Sequence, residues 1–256
     1  MKRLFKNQMK LLKALQTKKG REENGLFAVE GVKAVTELLR SGLKTRYLVF
    51  DQSFDHESFM KKNKTGKDIE VYDCDIDSVS TMRSSEGILA VAELPDPADQ
   101  DDFFSVNNNL LGLFGISDPG NLGTLLRTAR WFGFDGAVLY EDCADVYSQK
   151  VIRGSMGAVF SMRILSEKDY HKTSVHLKSW NKIGTFLDLE SNFTPSSSRK
   201  TILFLGNESS GLKDEMKKQT DMNFRIDSGS GFDSLNVSVA GGIIMHELFR
   251  NGGLKC

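Results

Sequence analysis

Three short stretches hold the residues whose types and spacing suit chemistry. Ser117–Gly133 (SDPGNLGTLLRTARWFG) passes through Pro119-Gly120 into a helical pattern, with Asn121 at its mouth and Arg127 and Arg130 further along. Leu205–Leu212 (LGNESSGL) leaves an apolar run and carries Gly206, Asn207, Glu208 and Gly211. Ile226–Glu247 (IDSGSGFDSLNVSVAGGIIMHE) sets a Gly/Ser loop against an apolar run that begins at Leu235. Glycines at 229 and 231 permit backbone conformations and close approaches that a Cβ would forbid. Free amides gather at helix N-termini, so such loops suit a nucleoside-like ligand gripped through the main chain. Each stretch alone reads more readily as a turn that caps a helix; three at matching strand ends shift the balance toward a site.

Other chemistries lack their residues. No strand is followed by G-x-G-x-x-G, and Gly229-x-Gly231 has neither the third glycine nor enough chain after it for a ribose-binding acid. G-x-x-x-x-G-K-[ST] is missing, and so is the G-x-S-x-G elbow of serine hydrolases. His56, His171, His176 and His246 show no metal spacing, and Cys74, Cys143 and Cys256 form no C-x-x-C pair. Neither a zinc site nor a disulfide framework is expected, and thiols this far apart suit a reducing cytoplasm.

The elements that must position the loops follow from the apolar pattern. Leu110–Ile116, Gly136–Tyr140, Lys182–Leu187, Thr201–Leu205 and Phe224–Ile226 read as strands buried on both faces. Helical patterns lie between them at Leu122–Phe132, Ser148–Met156, Lys172–Trp180 and Lys213–Lys218, and a buried helix follows Leu235. This alternation predicts a largely parallel sheet, with ligands outside the carboxyl ends of its strands.

A smaller α/β pattern comes first: strands at Phe27–Glu30, Arg46–Phe50, Ile69–Tyr72 and Gly87–Glu93, with helices at Val32–Arg40, within 51–68, and at Asp75–Met82. The expected organisation is a basic arm (1–25), a small domain (26–93), an acidic connector (94–109) and a larger domain (110–256).

Charge supports that division. The chain has 256 residues with 34 basic and 34 acidic side chains, yet the first 21 residues carry eight Lys/Arg and no acid. Glu93, Asp96, Asp99, Asp101 and Asp102 crowd the connector. Residues 3–17 place Leu4, Phe5, Met9, Leu12 and Leu15 at helical spacing with lysines between, which suits either a cap on the next domain or a contact with phosphates. No run reaches the length of a membrane span, and the start lacks the apolar core of a secretory signal.

Together, DPGNLGTLLRTA (118–129), LFLGNESSGL (203–212) and IDSGSGFDSLNVSVA (226–240) resemble, in order and spacing, the three motifs of the SpoU/TrmH family of the SPOUT class. KVIRGSMGAVF (150–160) is similar to its connecting segment, and FAVEGVKAVTELL (27–39) to the L30e-like substrate-binding domain that often precedes it. The resemblance implies an α/β fold with a C-terminal trefoil knot, a homodimer, and S-adenosylmethionine (AdoMet) as methyl donor. The implied reaction is 2′-O-methylation of RNA ribose, most plainly ribosomal RNA; a tRNA substrate and a non-catalytic RNA-binding protein are the alternatives. By motif position, Leu205, Gly206, Asn207, Gly211, Ile226, Ser234 and Leu235 are expected at the cofactor. Arg127, Asn121, Glu208, Ser234 and Asn236 are expected at the reacting ribose. Where the family commonly has Ile-Pro-Met, this chain has Ile226-Asp227-Ser228, which removes a fixed φ and adds a charge.

Overall fold

A computed structural model describes residues 2–65, 69–80, 86–194, 198–207, 209–230 and 235–254. Its elements in chain order are β1 (Lys2–Arg3), α1 (Lys6–Ala14), α2 (Lys18–Asn24), β2 (Leu26–Glu30), α3 (Val32–Arg40), β3 (Thr45–Phe50), α4 (His56–Lys62), β4 (Glu70–Asp73) and β5 (Ile88–Glu93). There follow α5 (Gln100–Val106), β6 (Asn109–Phe114), α6 (Pro119–Trp131), β7 (Gly136–Tyr140), α7 (Gln149–Ser155), β8 (Arg163–Ser166), α8 (Tyr170–Ser174), β9 (Asn181–Gly184), β10 (Thr201–Leu205), β11 (Met222–Asn223) and α9 (Val237–Arg250). They form two compact units: residues 1–96 with 145–161, and residues 97–144 with 162–256.

In the first unit the strand order is β1-β4-β3-β5-β2. β5 runs antiparallel to both β2 and β3, while β4 is parallel to β3 and β1. The basic arm is built into this unit. Leu4, Leu12 and Leu15 are buried in its core beside Tyr47, Tyr72 and Val91, and Leu4 N donates to Asp73 O. The helix expected over residues 3–17 forms as α1, and the chain then turns at Thr17, whose side chain caps a further helix, α2, by accepting from Gly20 N. The helix expected at Asp75–Met82 is a single 3₁₀ turn, Ile76–Ser78, with residues 81–82 outside the described residues.

The segment around α7 departs from the alternation read in the sequence, which set it among helices covering the large sheet. It packs in the first unit instead. Gln149 Nε2 donates to Ala28 O at 2.8 Å, the Tyr147 ring lies 4.8 Å from that of Phe27, and Arg21 pairs with Asp145 in a largely buried contact.

The second unit is a six-stranded sheet in the order β11-β9-β10-β6-β7-β8, every pair parallel. β6 through β8 advance one way across the sheet, and β10 returns to β6 on its other side. The order therefore reverses at β6/β10, the kind of point where ligands sit in such sheets. Several expectations differ from what forms: β9 stops at Gly184 rather than Leu187, the helix expected at Lys172–Trp180 is α8 followed by a 3₁₀ turn (Val175–Leu177), and that at Lys213–Lys218 is a 3₁₀ helix (Asp214–Lys218). The connector contains α5, capped by Asp99, because Phe103 and Phe104 are apolar enough to enter the core despite acidic neighbours. β8 is not among the expected strands, because only Leu165 of its four residues is buried and it makes no continuous apolar run. The last strand is Met222–Asn223 rather than Phe224–Ile226: Asn223 donates through Nδ2 to the carbonyls of Phe186 and Leu189, and the chain then leaves the sheet.

Candidate functional site

Loops at the carboxyl ends of β9, β10 and β11, with the start of α9, enclose a cavity of about 860 Å³. Leu205, Gly206, Asn207, Gly211, Ile226 and Leu235, six of the residues expected at the cofactor, line it. Ser234, the seventh, lies outside the described residues.

Local sequence explains the cavity's shape. β10 ends at Gly206, where a Cβ would lie 2.1 Å from the backbone carbon of Gly211; only glycine permits the loop to fold this closely on itself. The fold-back is held by Gly211 N donating to Asn207 O at 2.8 Å, with Gly211 at φ +64°. Asn207 anchors the loop in turn, donating through Nδ2 to Gly115 O at the end of β6 (2.8 Å) and accepting at Oδ1 from Ser209 N. Gly229 needs no such reason: a Cβ there meets nothing within 4 Å, so the sequence expectation of a close approach does not hold at this position. Gly231 lies outside the described residues.

The cavity is apolar on the sides given by Leu205, Ile226, Leu235, Val237 and Ile244, and charged at its margin. Lys217 Nζ pairs with Asp188 and, at 2.8 Å, with Asp214. The hydrogen bonds that Lys217 donates to these carboxylates raise its pKa, and the Lys217 ammonium lowers that of Asp188. Asp227, the residue that departs from the family pattern, is held by Arg225, whose Nε donates to Asp227 Oδ1 at 2.9 Å. Sequence reasoning missed Thr185–Asp188, Lys217 and Arg225. The available signal was positional, since Thr185–Asp188 is another loop at a strand's carboxyl end, directly after β9.

The residues expected to act on the ribose stand beside the cavity. Asn236 caps α9, its Oδ1 accepting from Ser238 N at 2.9 Å, while its Nδ2 donates to Asn121 Oδ1 at 3.1 Å. Asn121 sits in the first turn of α6, its backbone N–H donating to the capping Asp118. Arg127, two turns along α6, is exposed, and among the described residues no hydrogen bond or ion pair engages its guanidinium. α6 and α9 pack closely because α9 has Gly241 at the contact, where a Cβ would come within 2.6 Å of Leu125. Glu208 and Ser234 lie outside the described residues.

Burial pushes the thiols of Cys74 and Cys143 up to about 11, so neither is a ready nucleophile at neutral pH. Among the described residues no group of three or more His, Cys, Asp or Glu is placed to hold a metal ion, and no helix is long and apolar enough to cross a membrane.

Residues 108–246 match the model of the SpoU rRNA Methylase family, and residues 6–90 that of the MRM3-like substrate binding domain. The chain is 29% identical over 250 residues to the 23S rRNA (guanosine(2553)-2'-O)-methyltransferase RlmP of Bacillus subtilis, covering 95% of this chain and 96% of that protein. Among solved structures, a TrmH-family RNA methyltransferase from Porphyromonas gingivalis superimposes with a TM-score of 0.85 at 33% identity, over 96% of this chain and 98% of that one. An AdoMet-bound rRNA methyltransferase from Sinorhizobium meliloti gives 0.85 at 26% identity, over 98% and 97%. The doubly matched sequence, the parallel sheet and the loops gathered at its switch point agree: the chain belongs to the SpoU rRNA methylase family.

Proposed function

We propose that this protein is an AdoMet-dependent methyltransferase that methylates a ribose 2′-OH of ribosomal RNA. The observation that carries the reading is the joining of two sets of residues on one helix end: α9 lines the cavity with Val237, Ala240 and Ile244 and, at its cap, holds Asn236 to Asn121. The relatives supply the substrate, since RlmP acts on 23S rRNA.

The residues present fit AdoMet. An apolar wall suits an adenine face, the Gly206–Gly211 loop brings backbone polar groups to the wall, and the described lining has one more carboxylate (Asp188, Asp214, Asp227) than cation (Lys217, Arg225). A sulfonium donor with net positive charge is favoured by that balance. When bound, AdoMet supplies an electrophilic methyl group.

The chain's own part is alignment and charge. In-line displacement requires the 2′-oxygen to be held on the axis of the breaking bond. Asn121 and Asn236, fixed to each other and to their helix ends, orient the ribose. Arg127 presents a guanidinium, which stays protonated in proteins and so serves poorly as a base. Its role is to grip a neighbouring phosphate and favour the alkoxide that develops at the 2′-oxygen. Glu208 and Ser234 belong to this set by motif position.

Dimerisation and the knotted path of the C-terminal helix are part of the same proposal. α9 leaves Val239, Ile243 and Phe249 exposed on one face, the Phe132 ring lies 5.8 Å from those of His246 and Phe249, and Trp131 is 83% exposed. A second copy covers such a patch. A small RNA-binding domain that includes the basic arm, a catalytic domain, and a cytoplasmic place of action complete the reading; the bacterial relative supports the last.

Mapping of 2′-O-methyl groups in RNA from a strain lacking the gene tests it. Loss of one methyl from large-subunit rRNA is expected; loss from a tRNA redirects the substrate, and an unchanged map removes the enzyme reading.

A further inference from the structure

Glu141, the first residue after β7, has a left-handed backbone at φ +56°. A residue with a Cβ is strained there, and such strain points to a side chain held for a purpose. The Glu141 carboxylate reaches across the sheet. β6 lies between β7 and β10, and Glu141 Oε1 meets Lys213 Nζ, beyond the end of β10, at 2.7 Å. The ion pair passes over Gly115, the residue that follows β6. A Cβ on Gly115 would lie 3.4 Å from Glu141 Oε2 and 3.7 Å from the Asn207 side chain, so the glycine leaves room for both.

The same point holds the loop that lines the cavity of the second unit. Asn207 donates through Nδ2 to Gly115 O at 2.8 Å and tethers the start of the loop. Lys213 follows Leu212 and, through Glu141, tethers its end. Between the two tethers Ser209, Ser210 and Gly211 line the cavity, whereas Glu141 and Lys213 do not. Glu141 reaches from a fixed base: its N–H donates to Lys168 O at 3.3 Å, and Ala144 N donates to Ile116 O at 2.8 Å. The hydrogen bond that Lys213 donates to Glu141 raises the lysine's pKa and keeps the ammonium charged at neutral pH. The Glu141 side chain is 34% exposed and that of Lys213 61%, so the pair adds little to global stability. A contact of small global worth still chooses between the positions of a binding loop, because such loops open and shift at low energy. Any fall in the competent fraction weakens the ligand in proportion.

We infer that Glu141 is a positioning residue for the cofactor: through Lys213 it holds the 207–212 loop over the end of β6 in the form that takes AdoMet. The inference rests on the reading of the protein as an AdoMet-dependent methyltransferase, and it adds a residue from outside the three motif stretches to the machinery of the site.

Calorimetry of the full-length protein with AdoMet tests it, together with the thermal midpoint of each variant without AdoMet. Glu141→Asn keeps a residue at ease with a left-handed backbone and removes the reach to Lys213. Its midpoint is expected at or above that of wild type, with AdoMet bound about fivefold more weakly. Lys213→Met is expected to match that loss, and the double variant to lose no more than either alone. Exchanging the charges, Glu141→Lys with Lys213→Glu, should bring affinity back to within about twofold of wild type. Wild-type affinity in both Glu141→Asn and Lys213→Met overturns the inference and leaves the proposed function standing. So does a double variant whose loss is the product of the two single losses, because the residues then act apart. A midpoint in Glu141→Asn that falls in step with affinity also overturns it, since the carboxylate then holds the fold rather than the loop. Wild-type protein that takes up no AdoMet removes the inference and the underlying reading together.

Discussion

Asn236 donates through its side-chain nitrogen to Asn121 Oδ1 at 3.1 Å, joining the N-terminal turns of α9 and α6 across 115 residues of sequence. The bond connects the wall of the 860 Å³ cavity to the helix that carries Arg127. Asn236 has a second task, since its Oδ1 caps α9. The two separate by substitution. Asn236→Asp keeps an acceptor for the cap and loses the donor to Asn121, so stability should stay within about 0.5 kcal/mol while turnover falls at least about tenfold. Asn236→Ala should lose both, at a cost of about 1 kcal/mol in stability. Urea unfolding alongside steady-state kinetics reads both; equal turnover in the Asp variant and the wild type would confine the residue to capping.

Gly206→Ala places a methyl group where the backbone of Gly211 already lies. The loop must open, and with it the wall of the cavity. AdoMet affinity measured by calorimetry is expected to fall by more than about tenfold, with a stability loss of about 1–3 kcal/mol from overpacking. Gly229→Ala is the contrasting variant: Gly229 lines the same cavity, but a Cβ there meets no protein atom within 4 Å, so the 206–211 fold-back stays intact and AdoMet affinity should fall less than in Gly206→Ala. Equal affinity in the two variants would show that the 206–211 fold-back does not shape the site.

The Asp188–Lys217 pair sets a pH window. Asp188 has a folded pKa lowered by Lys217, so its contribution is present above the unfolded carboxylate value and fades as pH falls through the lowered one. Lys217 has a raised folded pKa, so its contribution is present below the unfolded amine value and is lost as pH rises through the raised one. Between about pH 5 and about pH 9 the pair is intact. The difference in urea midpoint between wild type and Asp188→Asn should be constant across pH 6–8, and it should shrink below about pH 4. A difference that grows on acidification contradicts the assignment.

Much of this was legible in the chain because the strands of the large sheet are continuous apolar runs: Gly136–Tyr140 and Thr201–Leu205 form with the bounds read from sequence. Motif order grouped Leu205, Gly206, Asn207, Gly211, Ile226 and Leu235, and these six line one cavity. What escaped depended on long-range contact. Nothing local tells that Gln149 will bond to Ala28, 121 residues earlier, and so place α7 in the first unit. Lys217 and Asp188 are 29 residues apart and meet only because β9 and β11 are neighbours. The charge that Asp227 adds is balanced by Arg225, two residues earlier, a pairing that the motif comparison does not show.

Arg127 presents its guanidinium to solvent from α6, away from the cavity wall. Arg127→Ala is therefore expected to leave stability within about 0.5 kcal/mol of wild type. AdoMet affinity should change less than about twofold and turnover should fall at least about a hundredfold. Equal losses in binding and turnover would make the residue structural.

The most direct measurement is transfer of labelled methyl from AdoMet to unmodified large-subunit rRNA by the purified protein, with the RNA digested to nucleosides and the labelled product identified. The account predicts a single 2′-O-methylnucleoside, absent with Arg127→Ala. Label on a base, or no transfer by wild-type protein that binds both AdoMet and RNA, would contradict it.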